Sequence, residues 1–158
     1  MPSFLNNEVS MNNTIFNTDL ISGKTNSTIV KISKLQNKKY RNDEKLFICD
    51  GVKLFLEAVE YNAIIKYIVL NNNVELNAEV IDKVKICQKN GASVICVEDY
   101  IFDKLTTESA PQGIITVCEY LYKKHSFSND IKSSEKNEKI LVLESVRDPG
   151  NMGTILRN

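Results

Sequence analysis

Between residues 46 and 118 the hydrophobic pattern switches repeatedly between the period of a strand and the period of a helix, and this alternation restricts the possible folds severely. Leu46-Phe47-Ile48-Cys49-Asp50 reads as a strand, after which Asp50-Gly51 opens a helix whose Val52, Phe55, Leu56 and Val59 share one apolar face. Ile64 to Leu70 predicts a second strand and Asn71-Asn72-Asn73 a turn. A helix is expected from about Val74 to the stop signal Asn90-Gly91, burying Val80, Val84 and Cys87. Ser93 to Val97 gives a third strand, Glu98 to Leu105 a short helix, and Gly113 to Cys118 a fourth strand after the Pro111-Gln112-Gly113 turn. Strands that alternate with helices predict an α/β fold, a mostly parallel sheet covered by helices.

The flanks have a different texture. Residues 1–25 are rich in asparagine, lack a sustained pattern and read as a mobile tail. Residues 26–120 form the main domain, residues 121–138 a polar linker, and residues 139–158 the opening of a second domain. At 158 residues and 17.9 kDa the chain holds one full domain and a piece of another. Neither a membrane-spanning apolar segment nor a signal peptide is visible, which makes the cytoplasm the expected location with no membrane partner. Cys49, Cys87, Cys96 and Cys118 lie in apolar runs without Cys-x-x-Cys spacing, so they read as small core residues, and no metal site is expected.

Twenty basic residues balance twenty acidic ones, which argues against a wholesale polyanion binder but leaves local patches open. One patch is Lys31, Lys34, Lys38, Lys39, Arg41 and Lys45, opposed only by Asp43 and Glu44 and carrying Tyr40 among the bases. On a helix opening at Asn26 or Ser27, Ile32 and Leu35 take one side while Lys31, Lys34 and Lys38 line another. Such a stripe can follow a phosphate backbone; the bland alternative is a solvated helix face.

The C-terminal stretch is the other informative one. The apolar run Ile140-Leu141-Val142-Leu143-Glu144-Ser145-Val146 predicts a buried strand, and Arg147-Asp148-Pro149-Gly150-Asn151 turns into a helix that Asp148 or Asn151 can cap. Met152, Ile155 and Leu156 share one face of that helix, Gly153, Thr154 and Arg157 another. The Arg157 guanidinium, planar and always charged, suits a phosphate.

The pattern Asp148-Pro149-Gly150-Asn151-x-Gly153-x-Ile155-x-Arg157 closely resembles the first motif of the SPOUT-class RNA ribose 2′-O-methyltransferases, the SpoU or TrmH type. The body resembles that family's N-terminal domain in Ile21-Ser22, Asn26, Lys39-Tyr40-Arg41, Leu46-Phe47-Ile48, Gly51, Glu57-Ala58 and Pro111-Gln112-Gly113, so the resemblance covers roughly residues 20–158. Asp50 departs from it, standing where glutamate is usual. The resemblance implies a three-layer α/β/α ribosomal-protein-like RNA-binding domain, followed by the first strand and helix start of a truncated α/β-knot domain. It implies transfer of a methyl group from S-adenosylmethionine to a ribose 2′-hydroxyl of RNA, with ribosomal RNA favoured over transfer RNA, by an enzyme that is a homodimer when complete. Asn151 and Arg157 would then be catalytic, and Lys31, Lys34, Lys38, Lys39, Arg41 and Gln112 are the candidate RNA contacts. The family's later cofactor-holding motifs have no counterpart here, so this stretch alone is expected neither to bind S-adenosylmethionine nor to methylate.

Other sites are weaker. Ser22-Gly23-Lys24-Thr25 looks like the end of a phosphate loop, but Thr18 stands where the first glycine belongs and no apolar strand precedes it. His125 sits in the polar linker, and Glu108 and Glu144 have no evident carboxylate partner. The main alternative is a stand-alone, non-catalytic RNA-binding protein of the same α/β fold; a third reading is a protein-interaction domain whose basic stripe is incidental.

Overall fold

The alternating periods close into a five-stranded sheet in the computed structural model, which describes residues 11–120 and 141–157. These residues fall into two units, one within residues 1–121 and one within 122–158. In the first, α1 (Asn12–Ile15), β1 (Leu20–Ile21), α2 (Ser27–Lys34), α3 (Lys38–Glu44), β2 (Leu46–Asp50) and α4 (Val52–Glu60) precede β3 (Ile65–Asn71) and α5 (Ala78–Lys89). Then come β4 (Ser93–Val97), α6 (Asp99–Leu105) and β5 (Ile114–Glu119), and the strand order is β1-β4-β3-β5-β2.

The period of two explains the layers. On one side of the sheet Ile68, Leu70, Val94, Cys96 and Ile114 pack with Phe55 of α4 and with Val80 and Val84 of α5. The residues between them, Val69, Ile95, Val97, Ile115 and Val117, point the other way, onto Ile29 and Ile32 of α2 and onto Ile101, Phe102 and Leu105 of α6. Both faces are thus covered, the three-layer α/β/α arrangement, and each large apolar side chain buried this way contributes about 1.5–3 kcal/mol. Cys87, Cys96 and Cys118 are buried as small apolar groups, and Cys49 is half-buried.

The direction of one strand differs from expectation. β1 and β3 run parallel to β4, but β5 lies antiparallel to both β3 and β2, so the sheet is mixed. After β4 the chain passes through α6 and the loop to Gly113 and re-enters the sheet at the end it left, with Ile114 beside Leu70 near the end of β3.

Within the expected tail over residues 1–25, the described part from residue 11 is corrected. The Asn12 side-chain amide donates to the carbonyls of Asn71 (2.7 Å) and Val74 (2.8 Å), and the Asn13 backbone N–H donates to Asn72 Oδ1 at 2.9 Å. Phe16 enters the core, and Leu20 and Ile21 pair with Cys96 and Val97. Asparagine composition reads as coil, but these amides serve as surrogate backbone partners, binding residues 12–21 to the domain. Residues 1–10 and the expected linker lie outside the described residues.

In the second unit α7 (Pro149–Arg157) forms as expected, and Asp148 is the residue that caps it: its carboxylate accepts from the N–H groups of Asn151 (3.0 Å) and Gly150 (3.3 Å). The strand predicted over 140–146 does not form among the described residues. Leu141 and Val142 are 67% and 83% exposed, and without a ladder partner an apolar run has nothing to fix it as a strand. On α7 Met152 and Ile155 are half-buried, whereas Leu156 is exposed. Among the described residues no helix is long and apolar enough to cross a membrane.

Candidate nucleic-acid interface

Helix α2 begins where Asn26 Oδ1 accepts from the N–H groups of Thr28 (3.0 Å) and Ile29 (3.3 Å). Burial of Ile29 and Ile32 against the sheet turns Lys31 and Lys34 outward. The helix does not continue through Lys38, which corrects the single continuous stripe. Leu35 stays buried, the chain bends, and Asn37 Oδ1 accepts from Lys39 N–H at 2.9 Å to start α3 as a separate helix. Lys31 and Lys34 therefore belong to one helix, Lys38, Lys39 and Arg41 to the next, and Lys45 ends α3 in a left-handed turn (φ 56°).

The six candidate RNA contacts have different occupations. Lys31 Nζ lies 2.9 Å from Glu44 Oε2, whose hydrogen bond pushes the ammonium pKa up. Arg41 Nη1 donates to the carbonyls of Leu35 (2.9 Å) and Gln36 (2.8 Å), satisfying the end of α2 and fastening α3 to it. Lys34 Nζ stands 5.5 Å from the Tyr40 ring centroid, and Lys38 and Lys39 are exposed in the first turn of α3. Gln112 is set apart on the loop into β5. Its Oε1 accepts from Val52 N–H at 2.9 Å, capping α4 where Gly51 (φ 94°) offers no side chain.

Asp50 does not cap that helix, contrary to expectation; its Oδ2 accepts from Thr106 Oγ1 (2.7 Å) and Thr107 N–H (2.9 Å), joining the end of β2 to the loop after α6. The Gln36 amide donates to the carbonyls of Lys104 (3.1 Å) and Leu105 (3.2 Å) at the same end of α6.

Sequence reasoning missed two cations on this face. Lys24 and Lys104 join Lys34 around a groove of about 230 Å³ between α2 and α6, lined also by Ile29, Val30 and Ile101. Lys24 belongs in sequence to the Ser22–Thr25 stretch, and Lys104 is remote from the basic stretch; the common signal is topological, since α2 and α6 cover one face of the sheet. Away from the groove, a hydrogen bond with Cys118 holds the Cys49 thiol below its usual pKa, while that same contact and burial push Cys118 up. Burial alone raises Cys96 to about 12. None of these thiols lies among the groove-lining residues.

In the second unit Asn151 is exposed in the first turn of α7, and Arg157 is the last residue of that helix, about 9 Å of rise further on.

Compared with known proteins, residues 26–116 match the MRM3-like substrate binding domain. The chain belongs to that family. It is 25% identical over 137 residues to the 23S rRNA (guanosine(2553)-2′-O)-methyltransferase RlmP of Bacillus subtilis (strain 168), a match covering 87% of this chain and 48% of that protein. The chain thus spans about half the length of this curated relative. Its fold is similar to that of a solved RNA 2′-O ribose methyltransferase (TM-score 0.60, 17% identity, 88% of this chain and 50% of the other). It is similar also to the AdoMet-bound rRNA methyltransferase from Sinorhizobium meliloti (TM-score 0.57, 23% identity, 66% and 38%). The resemblance to SpoU/TrmH-type methyltransferases read from the sequence is borne out by these likenesses, and so is the α/β fold class.

Proposed function

We propose that the first unit grips RNA, ribosomal RNA in the first instance, for an S-adenosylmethionine-dependent ribose 2′-O-methyltransferase of the cytoplasm that is a homodimer when complete. The observation that supports the reading is the exposed cationic face of α2, α3 and α6. Lys24, Lys34 and Lys104 line one groove of it, Lys38 and Lys39 are exposed in the first turn of α3, and the two ion pairs among the described residues engage other lysines, Lys31 and Lys66. Lysines of this kind act as point charges on phosphates and release counterions on binding. Arg41 and Gln112, already bonded to backbone groups, serve first to shape the surface, Arg41 by holding α3 against α2.

The methyl group would come from S-adenosylmethionine. The described residues of the second unit do not by themselves fit that cofactor: the concavity beside α7 is open, Asp148 occupies the N–H groups of its first turn, and Leu141 and Val142 stand exposed rather than walling a cavity. Asn151 and Arg157 are proposed to face the reacting ribose. A guanidinium with a pKa above about 12 is a poor base, so the role assigned to Arg157 is to anchor a phosphate and stabilise developing alkoxide charge.

The test is the salt dependence of RNA affinity, read by fluorescence anisotropy with a labelled ribosomal RNA fragment. A double-logarithmic slope of about −3.5 to −4.5 is expected if all five lysines contact phosphates. The triple variant Lys34→Gln/Lys38→Gln/Lys39→Gln should bind more weakly and with a shallower slope. A flat salt response, or unchanged affinity in the variant, would refute the reading.

A further inference from the structure

Two exposed tyrosines flank α2, and each carries a lysine over its ring. Tyr100, in the first turn of α6, is 42% exposed with Lys24 Nζ 5.1 Å from its centroid; Tyr40, in α3, is 40% exposed with Lys34 Nζ at 5.5 Å. Two adjoining grooves, one of about 230 Å³ between α2 and α6 and one of about 400 Å³ between α2 and α3, share Val30 and Lys34; Tyr40 lines the second, and Lys24, over the Tyr100 ring, lines the first. Val30 is itself exposed, so the ridge that separates the grooves is apolar. The Tyr100 hydroxyl donates to the Ser22 carbonyl, which fixes the orientation of its ring.

Lysines alone would suit any RNA, paired or not, because phosphates are common to both. Exposed aromatic faces and an apolar ridge add something that a duplex cannot use. In an A-form helix the bases are stacked on one another and out of reach, whereas the bases of loops and bulges are free to stack on aromatic side chains. Charge complementarity selects the same occupant. Glu44, the carboxylate that lines the second groove, is taken up by Lys31 at 2.9 Å, which leaves Lys34 as the outward-facing charge shared by both grooves. Asp99, the carboxylate beside Tyr100, accepts from the Asn73 side chain at 3.0 Å.

We propose that this surface binds unpaired nucleotides, with bases stacked on Tyr40 and Tyr100 and the adjoining phosphates on Lys24, Lys34 and Lys104. The proposal rests on the RNA-binding reading and specifies the form of RNA that is bound. On binding, each lysine gives up an exposed contact with a ring, which is weak, and its flexible stem carries the ammonium to a phosphate while a base takes the ring.

The experiment compares two labelled RNAs with equal numbers of phosphates, an unpaired mixed-sequence oligoribonucleotide and a blunt-ended, fully paired duplex, binding to the 158-residue chain. The unpaired RNA is expected to bind more tightly. Tyr40→Leu and Tyr100→Leu should each weaken that binding by about fivefold or more, while Tyr100→Phe, which keeps the ring, should retain it. Duplex binding should be unchanged in all three variants, which also reports that they remain folded. Equal affinity for the two RNAs, or indifference to both leucine variants, overturns the stacking surface while leaving the RNA reading intact. Binding to neither RNA overturns both.

Discussion

At Gly113 the backbone takes φ 76°, and a Cβ there would stand 2.5 Å from Val74 Cγ1. The same residue's carbonyl accepts from Asn71 N–H at 2.9 Å, so the corner that admits β5 to the sheet depends on a position without a side chain. Gly113→Ala is expected to cost about 2–4 kcal/mol, from left-handed backbone strain and overpacking together, read as a shift of the urea unfolding midpoint. An unchanged midpoint would contradict that account. The turn at Pro111-Gln112-Gly113 was legible because its chemistry is local, but the contact with Val74 was not, since it is made by a loop that only the fold brings near. The same distinction separates Asn26 and Asp148, whose caps are local and visible in sequence, from Asn12 and Arg41. The bonds of Asn12 are long-range, and the charge of Arg41 announced a ligand when its observed partners are two carbonyls at the end of α2.

Among the elements, β2 and β4 have the bounds their apolar runs predict, because each run ends at turn-forming or helix-opening residues. α5 starts later than its periodicity suggests, at Ala78, because Asn77 Oδ1 accepts from Val80 N–H at 2.9 Å and leaves Val74 and Leu76 in the preceding loop. The direction of β5 was not legible, since an apolar run with a period of two reads the same for a parallel and an antiparallel neighbour. The break between α2 and α3 matters most to function, for it splits the lysines between two helices held together by Arg41. Arg41→Ala should remove both carbonyl bonds and destabilise the domain by about 1–2 kcal/mol, a value reduced by the residue's partial exposure. Native-state hydrogen exchange should accelerate in α3 before it changes in β3 or β5. Exchange in α3 at the parental rate would show that Arg41 does not hold the two helices together.

For the whole molecule, the two hydrophobic periods sufficed for a three-layer α/β/α domain, because they decide which residues face each side of the sheet. Part of the cationic surface was legible in the same way: Lys34, Lys38 and Lys39 are near neighbours in sequence, whereas Lys104 and Tyr100 come beside Lys34 and Lys24 only through the topology. The opposite layer, α4 and α5 over the other side of the sheet, supplies a built-in control. RNA is proposed to be held on the side of the sheet covered by α2 and α6, beside α3. Titration of the isotopically labelled chain with RNA, followed by amide chemical shifts, addresses this claim residue by residue. Shifts are expected in α2 and α3 and at Lys24, Tyr100 and Lys104, with α4 and α5 silent. Shifts concentrated in α4 and α5, with α2 and α3 unmoved, would contradict it.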